Sequence, residues 1–168
     1  MEGYRDYVLG RYAWSNDELG AAAHYFSRAL QHQDSDPVLR QRTFELALAS
    51  GDRRLALETA REVLAADPEN STAALVLIAE AFRKGEFKKT EALISKLAVG
   101  GIEAVIAPVL NAWAQQGQGD RKGALATIQP PETEGVQRLY QLEHAGHIAA
   151  AQGEPEEALA CYRHALQM

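Results

Sequence analysis

The chain has 168 residues, 46% apolar, 24% charged and 7% aromatic, with a mean hydropathy of −0.29; this is the composition of one soluble globular unit and excludes disordered, collagen-like and membrane-spanning classes. Its 17 Lys and Arg against 23 Asp and Glu leave a net charge of −6, so it lacks the broad basic field that a nucleic-acid backbone or an anionic membrane would require. A single cysteine, Cys161, excludes an intrachain disulfide and a cysteine-built zinc site.

In chain order, the apolar periodicity predicts ten amphipathic helices in pairs: 4–15 and 18–32, 37–50 and 52–66, 71–84 and 87–98, 102–117 and 120–129, 133–151 and 155–167. Thirty alanines favour helix throughout. Asp36-Pro37 and Asp67-Pro68 mark corners, because the residue before proline leaves helical geometry while proline suits a following first turn. Pro130-Pro131 truncates the eighth helix and predicts a longer, looser connection there, the expected hinge. The longest apolar run, Ala73 to Ala79, is far short of the roughly 20 residues that span a bilayer. The start lacks a secretory hydrophobic core, which leaves the cytoplasm, or the periplasm where a signal peptide has been removed.

Self-similarity organises these helices. Ala22, Ala56, Thr90, Ala124 and Ala158 lie 34 residues apart with no insertion. Five residues before them stand Asp17, Gly51, Gly85, Gly119 and Gly153, where a helix stops and the chain reverses. Four residues after them stand Phe26, Ala60, Ile94, Ile128 and Tyr162, one turn along the same face. Seven after, the set is Ala29, Val63, Leu97, Pro131 and Ala165, broken only at proline. Each unit is therefore a helix A, a tight turn and a helix B.

This pattern resembles the tetratricopeptide repeat (TPR), through Leu9-Gly10, Ala22, Phe26 and Ala29-Leu30 in the first unit, Asp67-Pro68 closing the second, and Gly146, Gly153, Ala158, Tyr162 and Ala165-Leu166 in the fifth. Repeats three and four depart from it at Ile78, Thr90 and Pro130-Pro131. The chain is also similar to the amino-terminal part of longer bacterial proteins of this family. The resemblance implies an all-α, right-handed superhelical solenoid of five antiparallel hairpins forming a single domain over 1–168, with repeats at about 3–36, 37–70, 71–104, 105–138 and 139–168. It also implies a concave groove lined by A helices. Carrying the family's groove positions through the register gives Tyr7, Arg11, Trp14, Glu45, Leu48, Leu75, Phe82 and Arg83, then Val109, Trp113, Gln116, Tyr140, Glu143 and His147.

The centre of that lining is aromatic and aliphatic. Family members that clamp a terminal carboxylate use Lys, Arg and Asn at positions held here by Leu48, Leu75, Phe82, Val109 and Trp113, so such a clamp is not expected. An apolar or amphipathic peptide segment is the expected partner, bound through a few aromatic anchors.

Other constellations read as structural. Glu143-His144 and His147 lack the His-Glu-x-x-His order, and no metal or other cofactor is expected. Arg83-Lys84 and Lys88-Lys89 are charges around a helix turn. Cys161 has no histidine beside it in sequence to activate it. Phosphate loops and nucleophile elbows are absent, so no catalytic residue is assigned. The chain reads as a non-catalytic protein–protein interaction scaffold. The alternatives are an oligomerisation module acting through the last hairpin, with Leu159, Tyr162 and Leu166 on the associating face, or the recognition arm of a larger enzyme.

Overall fold

The computed structural model describes residues 2–32, 36–97, 100–129 and 134–168, and among these it contains helices only. In order they are α1 (Glu2–Ser15), α2 (Leu19–Leu30), α3 (Pro37–Ala49), α4 (Arg53–Ala66), α5 (Ser71–Arg83), α6 (Phe87–Ile94), α7 (Gly101–Gly117), α8 (Arg121–Ile128), α9 (Gly135–Gln152) and α10 (Pro155–Ala165). The expected hinge at Pro130-Pro131 lies outside the described residues.

Five turns between paired helices share one geometry. Asp17, Gly51, Gly85, Gly119 and Gly153 all have positive φ, from 60° to 84°. The next residue's N–H reaches back to Ala13, Ala47, Ala81, Gln115 and Ala149 in turn, at 2.9–3.0 Å. That six-to-one bond is the Schellman closure, and it explains the glycines, since an L side chain is strained in the left-handed region. Asp17 is the exception and adopts it as one of the few tolerated non-glycine types. The starts of α3, α4, α5 and α8 are capped by short acidic or amide side chains: Asp36 accepts from the N–H groups of Val38 and Leu39, Asp52 from Leu55, Asn70 from Ala73 and Asp120 from Gly123.

The register is kept by an exchange of one turn between neighbours. The expected helix over 87–98 ends at Ile94, where Ser95 turns its hydroxyl onto the Ala92 carbonyl at 3.0 Å. Like α6, α8 has only 8 residues, whereas α7 and α9 have 17 and 18 and begin, close to the expected 102 and 133, at Gly101 and Gly135, about one turn ahead of the 34-residue register of α3 and α5 and both with positive φ. Within α7, Pro108 cannot donate to the Ala104 carbonyl. The Gln137 side chain of α9 occupies that acceptor at 3.5 Å, a long bond that still spares an orphaned carbonyl.

The chain divides into two compact units, Met1–Leu77 and Ile78–Met168. In the first, Ala22, Ala23, Phe26 and Ala29 of α2 pack with Ala13, Leu39, Leu46 and Leu55, while Phe44, Ala60, Val63 and Ala73 form a second cluster. Asp6 and Arg28 pin α1 to α2 through two bonds of 2.6 and 3.2 Å, and the guanidinium holds the nearly buried Asp6 carboxyl below its ordinary range. In the second unit Val109, Ala112, Ala124, Ile128, Ala145, Ile148 and Cys161 form the core. Thr90, which departs from the small-residue pattern, is fully buried with its hydroxyl bonded to the Glu86 carbonyl at 3.1 Å. No described helix is long and apolar enough to cross a membrane.

Candidate functional site

The expected lining residues of the first unit stand on α1, α3 and α5. Tyr7 packs on Phe26 with ring centroids 5.8 Å apart, and its hydroxyl accepts from Arg11 at 3.3 Å. Two guanidinium groups approach the Trp14 ring, Arg11 at 5.8 Å and Arg42 at 4.5 Å from its centroid. Arg42 then reaches Glu45 at 2.9 Å. Tyr7, Arg11, Trp14 and Glu45 thus belong to one linked surface completed by Arg42, which the register does not pick out. Leu48 is exposed and Leu75 half-buried.

In the second unit the structure gathers Phe82, Trp113 and Gln116 around an open cavity of about 580 Å³. Phe87, Leu110, Gly117 and Ala151 complete its wall. The cavity runs along the last turns of α5, α7 and α9 and the start of α6. Phe82 and Phe87 meet edge to face at 6.2 Å. A side chain at 117 would collide with the Phe87 ring, so glycine there is what admits that ring. The polar groups of the wall are already engaged: Trp113 Nε1 donates to His144 Nδ1 at 3.2 Å, and Gln116 Oε1 accepts from Gln152 Nε2 at 2.7 Å. What remains to face a ligand is largely hydrocarbon and aromatic surface.

The other expected residues lie elsewhere. Val109 is 9% exposed and belongs to the core of this unit. Arg83 is exposed and bonded to Glu80 at 3.0 and 3.1 Å. Tyr140 and Glu143 are exposed on α9, and His147 meets the Tyr162 hydroxyl at 2.8 Å. Leu159 and Tyr162 help to line a second cavity, of about 570 Å³, with Ala150, Gly153, Pro155 and Ala158; Leu166 is 87% exposed. Among the described residues no group of three or more His, Cys, Asp or Glu converges as a metal site. Burial pushes the Cys161 thiol up, away from thiolate character, with Glu157 adding to the shift.

Trp113, His144, His147 and Tyr162 form a file of edge-to-face rings with centroids 6.4, 5.8 and 5.5 Å apart. Burial first, and then His147, lowers the His144 pKa against the opposing pull of Glu143. The folded state therefore favours neutral imidazole, whose Nδ1 can accept from Trp113. The stability this contributes is complete above the unfolded-state pKa and is lost as pH falls through the lower folded-state value. Thermal unfolding of wild type is expected to shift down between about pH 7.5 and about pH 5, around the ordinary histidine range. In His144→Asn, which keeps an acceptor but cannot titrate, that part of the shift should vanish; an unchanged pH dependence would assign it to another group.

No protein-family model matches the sequence, and no curated protein matches it significantly. Solved structures do. MamA (41-end) from Desulfovibrio magneticus RS-1 is 15% identical, with a TM-score of 0.67 over 99% of this chain and 94% of its own. YrrB, a TPR protein with an unusual peptide-binding site, is 17% identical, with a TM-score of 0.65 over 96% of this chain and 84% of its own. TTC0263, a thermophilic TPR protein in Thermus thermophilus, is 20% identical, with a TM-score of 0.51 over 98% of this chain and 90% of its own. At these identities the likeness is one of fold: the chain has the all-α helical-hairpin fold of TPR proteins.

Proposed function

We propose that the chain is a non-catalytic interaction scaffold that binds an apolar or amphipathic peptide segment. The observation that carries this reading is the cavity walled by Phe82, Phe87, Leu110 and Trp113, whose polar groups are spent on internal hydrogen bonds. An aliphatic or aromatic side chain entering it replaces water against hydrocarbon at about 25 cal/mol per Å² of apolar surface covered. The peptide-binding site of YrrB, on the same fold, adds support.

The test uses Trp113 as its own reporter. In a Trp14→Phe background Trp113 is the sole indole, and its emission is titrated with synthetic peptides differing in apolar and charged content. Peptides with paired apolar anchors are expected to bind and blue-shift the emission, and Phe82→Glu to weaken them by about 30-fold or more, as for a central anchor site. Binding that leaves Trp113 unchanged, or that survives Phe82→Glu in a folded variant, would remove the cavity as the site.

A second reading, association between copies through α10, is favoured by the exposure of Leu159, Leu166 and Met168 beside the second cavity.

A further inference from the structure

Within the second unit, α9 covers the preceding α7–α8 hairpin by setting Ala145 and Ile148, both fully buried, against Ala112, Ala124 and Ile128. The 34-residue register places the same two surfaces a second time, one at each end of the chain. One period downstream of Ala112, Ala124 and Ile128 are Gly146, Ala158 and Tyr162, and the last two line the cavity on α9 and α10. Four periods upstream of Ala145 and Ile148 are Leu9 and Tyr12 on α1. Besides Ile148, the position of Tyr12 recurs inside the chain at Leu46, Glu80 and Ala114, and it is covered at each, with exposures of 5% and 0% at Leu46 and Ala114 and 10% for the Glu80 side chain. On α1 it is open, with Tyr12 67% exposed in a stripe that includes Tyr4 and Val8.

We infer that α1 of one copy docks on the α9–α10 cavity of a second copy, Leu9 and Tyr12 entering against Leu159 and Tyr162, so that copies join head to tail. The occupant is a second copy because the two open faces are register-equivalent halves of a contact that the chain already makes internally. Such a contact is heterologous and leaves a free half at either end of a pair, so assembly continues past two chains. This rests on the second reading above and adds to it the partner surface and the polarity. It does not depend on the Phe82–Trp113 cavity.

Light scattering on the 168-residue chain, with helix content checked by circular dichroism, tests both levels. Wild type is expected to show a mass that rises with concentration from 18.4 kDa past two chains. Tyr12→Glu and Leu159→Glu should each stay at one chain, being altered at opposite ends at exposed positions that folding does not need. Mixed in equal amounts they should form a pair of one chain each that grows no further, since each supplies the half the other lacks. A wild type that stays at one chain up to about 1 mM, the scale of a very weak contact, overturns both the reading and the inference. If Tyr12→Glu still associates while Leu159→Glu does not, and mixing restores nothing, then α10 meets α10: the second reading stands and the head-to-tail inference falls.

Discussion

Replacing Gly10 by valine is expected to destabilise the 168-residue chain by about 2–3 kcal/mol and to lower its unfolding midpoint by about 5–10 °C. A Cβ at this position falls inside the Phe26 ring, and Phe26 is 1% exposed with no room to withdraw. Gly10→Ala tests the sign. By helix propensity alone the change should stabilise by about 1 kcal/mol, so a net loss isolates the steric term. Four periods on, a Cβ at Gly146 meets the Tyr162 ring in the same manner. That ring is only half-buried and can swing outward at the cost of its 2.8 Å bond to His147. Gly146→Val should therefore cost about 1 kcal/mol, nearer a lost hydrogen bond than an overpacked core. Equal losses at the two sites, by thermal and denaturant unfolding, would show that the ring's freedom does not matter.

Replacing Pro108 by alanine should act in the opposite direction. Alanine restores the N–H that the Ala104 carbonyl lacks and removes the ring's conflict with that carbonyl, a penalty of about 3 kcal/mol in a regular helix interior. Proline's restriction of the unfolded chain returns up to about 1 kcal/mol, so a net gain of about 1–2 kcal/mol is expected. Gln137→Ala supplies the control. In wild type it strands the Ala104 carbonyl and should cost about 1 kcal/mol; in Pro108→Ala it should cost almost nothing. A Gln137→Ala cost that is the same in both backgrounds would mean that this side chain stabilises by packing alone.

Architecture was legible in the sequence because its determinants are local. The positive φ at Gly51, Gly85, Gly119 and Gly153, and the small-then-aromatic step from Ala22 to Phe26, are properties of one hairpin repeated at a fixed interval. Phe82, Trp113 and Gln116, which the structure brings to one cavity, could be set at a common angle for the same reason, since register gives a residue's angle around its helix. Register does not give depth, and Val109 at a groove angle is buried in the core. Nor does it show contacts between elements: Phe87 opens a B helix, and its place in the cavity wall depends on the missing side chain of Gly117, in the next A helix. The early end of α6 at Ile94 was hidden too, because the apolar period runs on through Leu97 while the helix stops.

Half of the buried hydrophobic residues along the described chain are alanine, among them Ala22, Ala60, Ala112, Ala124, Ala145 and Ala149 at 0% exposure. Such a core offers little for truncation to remove, so its weakness lies in enlargement. The single-base changes open to an alanine codon lead to valine, threonine, serine, proline, glycine, aspartate or glutamate, each of which is larger, polar or a helix breaker. Inherited variation at these positions should therefore be purged far more strictly than on the exposed faces, leaving the surfaces free to drift toward new partners while the scaffold beneath them keeps its shape.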